Sequence, residues 1–186
     1  MDALLASTSA VAIAEIGDKT QLLSLFLASR FTRRNAIIAG ILVATLLNHA
    51  LSAWLGAWVA HWIPAAWKPW ILGLSFIAVG LWVLIPDKED DGDAGVLRYG
   101  AFVASCVLFF IAEIGDKTQV ATVILAARFD DAILGVIIGT TLGMMVANVP
   151  VIYAGNWLMQ RLPLAWARRG ACILFAGLGI TAILMQ

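Results

Sequence analysis

An octapeptide that carries three charges occurs twice in this chain, each time inside a long apolar stretch. Ala14-Glu15-Ile16-Gly17-Asp18-Lys19-Thr20-Gln21 returns unchanged at residues 112–119, an offset of 98. Arg30-Phe31 returns as Arg128-Phe129 at the same offset. After one additional residue the match continues at offset 99, through Gly40/Gly139, Gly56/Gly155, Trp58/Trp157, Pro64/Pro163, Ala66-Trp67/Ala165-Trp166, Phe76/Phe175 and Gly80/Gly179. The chain is therefore two copies of one unit, and whatever fold it takes must accommodate both.

The surroundings of the repeats decide the solvent. Hydrophobic residues make up 62% of the 186 and charged residues 13%, against about 45–50% and about 25% in soluble domains. Lipid is the solvent such a chain needs. A spanning helix takes about 20 mainly apolar residues, and six stretches supply them: 3–29, 36–60, 66–85, 100–127, 132–158 and 167–185. The first is a retained helix rather than a signal peptide, because Glu15, Asp18 and Lys19 interrupt it. Zero net charge argues against nucleic-acid binding. Cys106 and Cys172 lie in apolar runs and read as small hydrophobes, not a redox pair. Trp62, Trp67, Trp70, Trp157 and Trp166 sit near span ends, as interfacial belts do.

The expected fold is an all-α membrane protein of six transmembrane helices, built as two inverted-topology repeats of three. Residues 1–86 form the first repeat, 87–97 an acidic cytoplasmic loop and 98–186 the second repeat. Three spans per copy is an odd number, so the second copy enters the bilayer from the opposite face, an arrangement that places substrate at the midplane between repeats. Lys and Arg fix the orientation. The odd-numbered loops carry Arg30, Arg33, Arg34, Lys88, Arg98, Arg161, Arg168 and Arg169, and the even-numbered ones Lys68 and Arg128. That bias puts the odd loops in the cytoplasm and both termini outside.

Ionisable groups at mid-bilayer depth cost about 2.5–3.5 kcal/mol each on insertion scales, so they face each other, a partner or water. On a regular helix Glu15, Asp18, Lys19 and Leu22 share one stripe, with Gln21 beside it and Thr20 pointing elsewhere. Gly17 lowers the cost of bending there. The second copy repeats this with Glu113, Gly115, Asp116, Lys117, Thr118 and Gln119. Four carboxylates and two lysines leave two negative charges, which one divalent cation or two protons would cancel. Oxygen ligands without clustered His or Cys suit hard divalent cations. The expected site is thus Glu15, Asp18, Glu113 and Asp116 around one ion, with Lys19 and Lys117 standing in for it when it leaves. Because ligand carboxylates must be ionised, binding would expel protons. Asn48 and Asn148 are further candidate oxygen donors, and His49 a candidate proton carrier. The structural alternative is a pair of intrahelical ion pairs, Glu15–Lys19 and Glu113–Lys117, gluing a bundle. Those pairs are expected to form, but they leave Asp18 and Asp116 unexplained.

The doubled Glu-x-Gly-Asp-Lys/Arg-Thr/Ser signature resembles the manganese/calcium cation–proton exchanger family of the eukaryotic Golgi and of bacteria, whose members include MneA-type manganese exporters. The likeness covers nearly the whole chain. It implies that Glu15, Gly17, Asp18, Lys19, Thr20 and Glu113, Gly115, Asp116, Lys117, Thr118 form the cation path, that Mn²⁺ is exported from the cytoplasm in exchange for H⁺, and that no prosthetic group takes part. A Ca²⁺/H⁺ antiporter of the same architecture, a passive channel and an intramembrane metal-dependent enzyme are the rival readings. No GxSxG or HExxH supports the enzyme. The expected partners are the metal ion, protons and the lipid bilayer; whether the chain forms a homodimer is left open.

Overall fold

The computed structural model describes residues 2–85, 94–161 and 164–184. The acidic run at 87–93 lies outside the described residues. The described chain is helical: α1 (Asp2–Ala14), α2 (Lys19–Arg30), α3 (Arg34–Ala60), α4 (Lys68–Val83), a 3₁₀ helix (Ala94–Tyr99), α5 (Ala101–Glu113), α6 (Lys117–Arg128), α7 (Ile133–Ala154), α8 (Asn156–Met159) and α9 (Leu164–Leu184). Three of these, α3, α7 and α9, are long and apolar enough to cross a bilayer. The continuous helices expected at 3–29 and 100–127 are each broken in two. The breaks fall at the octapeptides, where Gly17 (φ 82°) and Gly115 (φ 75°) take the left-handed conformation. Only glycine adopts it without strain, so the sequence places the interruption. Each half-helix is about 20 Å long at 1.5 Å per residue, too short alone for a hydrocarbon core of about 30 Å, but two end to end are long enough to cross it. The third expected span is α4, 16 residues long. Helix α7 continues through Pro150.

The halves pack by exchanging equivalent contacts. A Cβ added at Gly40 of α3 would lie 2.5 Å from the Phe102 carbonyl oxygen and 2.8 Å from Ser105 Cβ of α5. One added at Gly139 of α7 would lie 2.6 Å from the Leu4 carbonyl oxygen and 2.9 Å from Ser7 Cβ of α1. These are the same three positions in the two copies. Small residues at such crossings let helix backbones approach closely in lipid, where packing and not water drives association. Helices α4 and α9 meet across Phe76 and Phe175, equivalent residues whose rings stack at 6.4 Å. Tyr153, near the end of α7, accepts the Arg34 guanidinium over its ring at 5.3 Å and donates to Asn35 Oδ1 at 3.3 Å. The start of α3 therefore lies beside the end of α7. Lys68, at the start of α4, pairs with Asp130, just past the end of α6, at 2.6 Å.

The outer surface is apolar. Trp54, Trp62, Trp67, Trp157 and Trp166 are all more than half exposed. Such a surface suits lipid and is foreign to water. The polar side chains run the other way: Glu15, Asp18, Thr20, Gln21, Thr45, Asn48, His49, Glu113, Asp116, Thr118 and Asn148 are all buried. Cys106 and Cys172 are half-buried free thiols.

Candidate metal centre

The two breaks bring four helix ends to one place. Helix α1 stops at Ala14, and Glu15 still donates its N–H to the Val11 carbonyl at 2.9 Å. The chain then turns: Asp18 N–H reaches the Glu15 carbonyl at 3.1 Å, and α2 starts at Lys19 with Asp18 as its N-cap. The left-handed glycine frees its own N–H, which Gln21 Oε1 accepts at 2.8 Å. The second copy repeats each step. Asp116 N–H reaches the Glu113 carbonyl at 3.1 Å, Asp116 caps α6, and Gly115 N–H donates to Gln119 Oε1 at 2.7 Å. The glutamines are thus structural clips that satisfy an otherwise orphaned backbone donor; such an orphan is costly wherever water is excluded.

Three of the four predicted acids converge. Glu15, Asp18 and Asp116 each offer a carboxylate oxygen, and these oxygens all lie within 4.8 Å of one another. All three residues are buried. The positive ends of α2 and α6 begin at Asp18 and Asp116, and helix N-termini favour negative charge. Three carboxylates that close, out of water, repel one another unless protons or a cation intervene. Oxygen ligands at this spacing are what a hard divalent ion takes.

Glu15 holds a central place. Its Oε2 accepts the Thr20 hydroxyl and its Oε1 the Thr118 hydroxyl, so one acid joins both octapeptides. Thr20 was expected to point away; the break rotates α2 relative to α1 and brings it in. Glu113 is held differently. Its Oε1 accepts the Thr45 hydroxyl at 3.0 Å and its Oε2 stands 3.5 Å from His49 Nε2, both partners coming from α3. Glu15, Asp116 and Lys19 lie within Coulombic range of it.

The intrahelical pairs Glu15–Lys19 and Glu113–Lys117 needed a continuous helix, and each helix breaks between the partners. Lys117 is buried and its Nζ donates to the Ile85 carbonyl just past α4 at 2.5 Å, while Lys19 is half-buried. Lys117 also borders a cavity of about 10 Å³ with Gly17, Asp18, Ile85 and Arg168, room for about one water molecule. Asn48 Nδ2 donates to the Phe110 carbonyl at 3.0 Å. Asn148 Oδ1 accepts the Ser24 hydroxyl at 2.7 Å, and its Nδ2 donates to the Met144 carbonyl and sulfur. Gln21 Nε2 reaches the Ala147 carbonyl at 2.8 Å. Both asparagines and Gln21 therefore tie helices together around the acids. Sequence reasoning missed Thr45; a buried hydroxyl one turn before His49 on one helix face was its only signal.

Comparison with known proteins gives the family of the chain. The chain matches the family described as divalent cation/proton antiporter GDT1 over residues 3–91 and 101–186. It is 52% identical over 175 residues to a Vibrio cholerae serotype O1 protein named "Putative manganese exporter", covering 94% of this chain and 87% of the relative. It is 26% identical over 217 residues to "GDT1-like protein 5" of Oryza sativa subsp. japonica, covering 96% of this chain and 92% of that one. The protein of the same name in Arabidopsis thaliana is 26% identical over 210 residues. No solved structure matches.

Proposed function

Because the chain belongs to the GDT1 family of divalent cation/proton antiporters, we propose that it exports Mn²⁺ from the cytoplasm in exchange for protons, through the centre at the two helix breaks. The observation that carries this reading is the buried triad of Glu15, Asp18 and Asp116, with ligand oxygens within 4.8 Å of one another. The cargo ion is held by these carboxylates, with Glu113 as the fourth acid beside them. Thr20, Thr118, Gln21 and Gln119 fix the acids and the broken backbone. Protons take the place of the ion when it leaves, since the ligand carboxylates must be ionised to hold it. That competition couples the two fluxes. Lys117, buried and tied to Ile85, and Lys19 supply positive charge to the emptied site.

The same reading takes the chain as six spans in two inverted repeats, residues 1–86 and 98–186, with both termini periplasmic in a bacterial inner membrane. Two observations support inversion. Equivalent residues meet at Phe76–Phe175, as they do on a two-fold axis, and the start of α3 lies beside the end of α7, as it does when the repeats run in opposite senses. Broken helices at the bilayer midplane are how transporters of inverted-repeat construction build ion sites.

The test is exchange in proteoliposomes offered Mn²⁺, Ca²⁺ and Mg²⁺ in parallel, with internal pH read at the same time. Mn²⁺ uptake should be matched by proton release. Mn²⁺ flux with no proton movement would refute antiport, and a preference for Ca²⁺ would move the cargo assignment to the other named cation.

A further inference from the structure

Glu113 is the acid the triad leaves out, and the group it faces is not an oxygen. Its Oε2 and the His49 Nε2 are 3.5 Å apart. That is long for a hydrogen bond. Neither Glu113 Oε2 nor either ring nitrogen of His49 has a hydrogen-bond partner among the described residues. Both side chains are buried, His49 at 0% and Glu113 at 1% exposure. Buried polar atoms with nothing to bond are costly and uncommon. Two ligands bound to one metal at about 2.0–2.2 Å stand about 3 Å or slightly more from each other. The spacing of the two orphaned atoms fits that better than it fits a bond between them.

The other half of the molecule has no such pair. At offset 99 the counterpart of His49 is Asn148, whose amide is fully engaged with Ser24 and Met144. The counterpart of Thr45 is Met144. The imidazole is thus a feature of one repeat only, aimed at the acid of the other.

We propose that His49 Nε2 and Glu113 Oε2, with the Thr45 hydroxyl beside them, form a second cation station next to the Glu15–Asp18–Asp116 triad. It discriminates by chemistry. Ca²⁺ and Mg²⁺ take oxygen ligands; imidazole is a ligand of transition metals, and of the three ions Mn²⁺ alone is one, so a nitrogen donor favours it over the other two even though oxygen also suits it. The triad accepts any hard divalent ion; the nitrogen donor passes Mn²⁺ in preference. Glu113 and Glu15 are within Coulombic range, so an ion in one station weakens its neighbour's hold, which aids release. This proposal rests on the transport reading above.

The experiment is pulsed electron paramagnetic resonance on the purified full chain with Mn²⁺ as the only added metal. The chain has two histidines, so the assignment is clean. Wild type and His61→Asn should both show ¹⁴N coupling to Mn²⁺. His49→Asn, which gives both repeats the same residue, should lose the coupling while Mn²⁺ stays bound through oxygen; His49→Gln serves if that variant is not monodisperse. In proteoliposomes the same variant should lose preference for Mn²⁺ over Ca²⁺. Oxygen-only Mn²⁺ in the wild type, or coupling that survives in His49→Asn, would overturn the second station. If such a protein still exchanges Mn²⁺ for protons, the transport reading stands without it. Failure to bind or exchange Mn²⁺ at all would remove both.

Discussion

Glu15 and Glu113 occupy the same place in identical octapeptides, yet they are held by different groups. Glu15 takes the threonine hydroxyls of both copies, Thr20 and Thr118, and sits among the carboxylates. Glu113 takes none of these; it turns to Thr45 and His49 on α3. The backbone breaks themselves differ less. Both glycines are left-handed and both are clipped by a glutamine. But a Cβ at Gly17 would meet Leu164 of α9 at 2.7 Å, while one at Gly115 would meet nothing within 4 Å. One sequence thus adopts one backbone in two environments. Local sequence sets the break; the helices around it set what each acid does.

The comparison can be broken most severely at the acids. Asp18→Asn and Asp116→Asn should each reduce Mn²⁺/H⁺ exchange to the level of empty liposomes, although one lies in each copy. Native transport by either protein, monodisperse and well inserted, would separate the triad from the cargo. The threonines give the next largest effect. Thr20→Val and Thr118→Val should each lower Mn²⁺ affinity by about tenfold, the usual loss when a group supporting a metal ligand is removed. In a Glu15→Gln background Thr118→Val should add nothing further, because residues acting on one partner are not additive. A full additional loss in titration calorimetry would mean that Thr118 serves its own copy's Glu113.

The glycines come third. Alanine at either position places an L side chain in the left-handed region, at about 1–3 kcal/mol. Gly17→Ala should melt lower than Gly115→Ala in detergent, owing to Leu164. Adding Leu164→Ala should close that gap while leaving Gly115→Ala unmoved. Equal melting of the two single variants would show that α9 yields freely.

The smallest effect belongs to Lys68–Asp130. The positions equivalent to this pair hold Ala167 and Thr32, so only one end of the molecule has such a link. Hydrogen bonding to Lys68 holds the Asp130 carboxyl below its ordinary range. A depressed carboxylate stabilises the fold above its unfolded pKa, and the gain is lost as pH falls through the folded value. Lys68→Met should therefore cost about 1 kcal/mol or less at neutral pH. In strong acid, where Asp130 is protonated in both proteins, the difference in melting temperature should vanish. A constant difference across the titration would assign the effect to packing of the Lys68 stem.

The octapeptides were legible because charge inside an apolar run is costly and exact duplication is rare; so was Gly17 as the weak point of its helix. What a single chain could not show was the consequence of the break. A stripe drawn at 100° per residue across Glu15 and Thr20 assumes one axis, and the break supplies two. That is why Thr20 was expected to face away and why both lysine pairings were expected to close. The Glu113–His49 and Glu15–Thr118 contacts join residues 64 and 103 positions apart, a separation that only tertiary packing can fix. The asparagines illustrate the same limit: their burial followed from position, but their engagement with Phe110 and Ser24 depends on neighbouring helices.

The stacked Phe76 and Phe175 have a bearing on ancestry. A contact between equivalent residues is what a symmetric homodimer makes, with the same patch on both partners. Two separate half-chains could have met through this surface before a duplication joined them. In such a dimer every substitution is made twice, so an imidazole at one position obliges an imidazole at its mate. A fused chain is released from that rule. Histidine at 49 where the equivalent position 148 holds asparagine is a difference only the single gene can encode, and it lets the two halves of the molecule diverge.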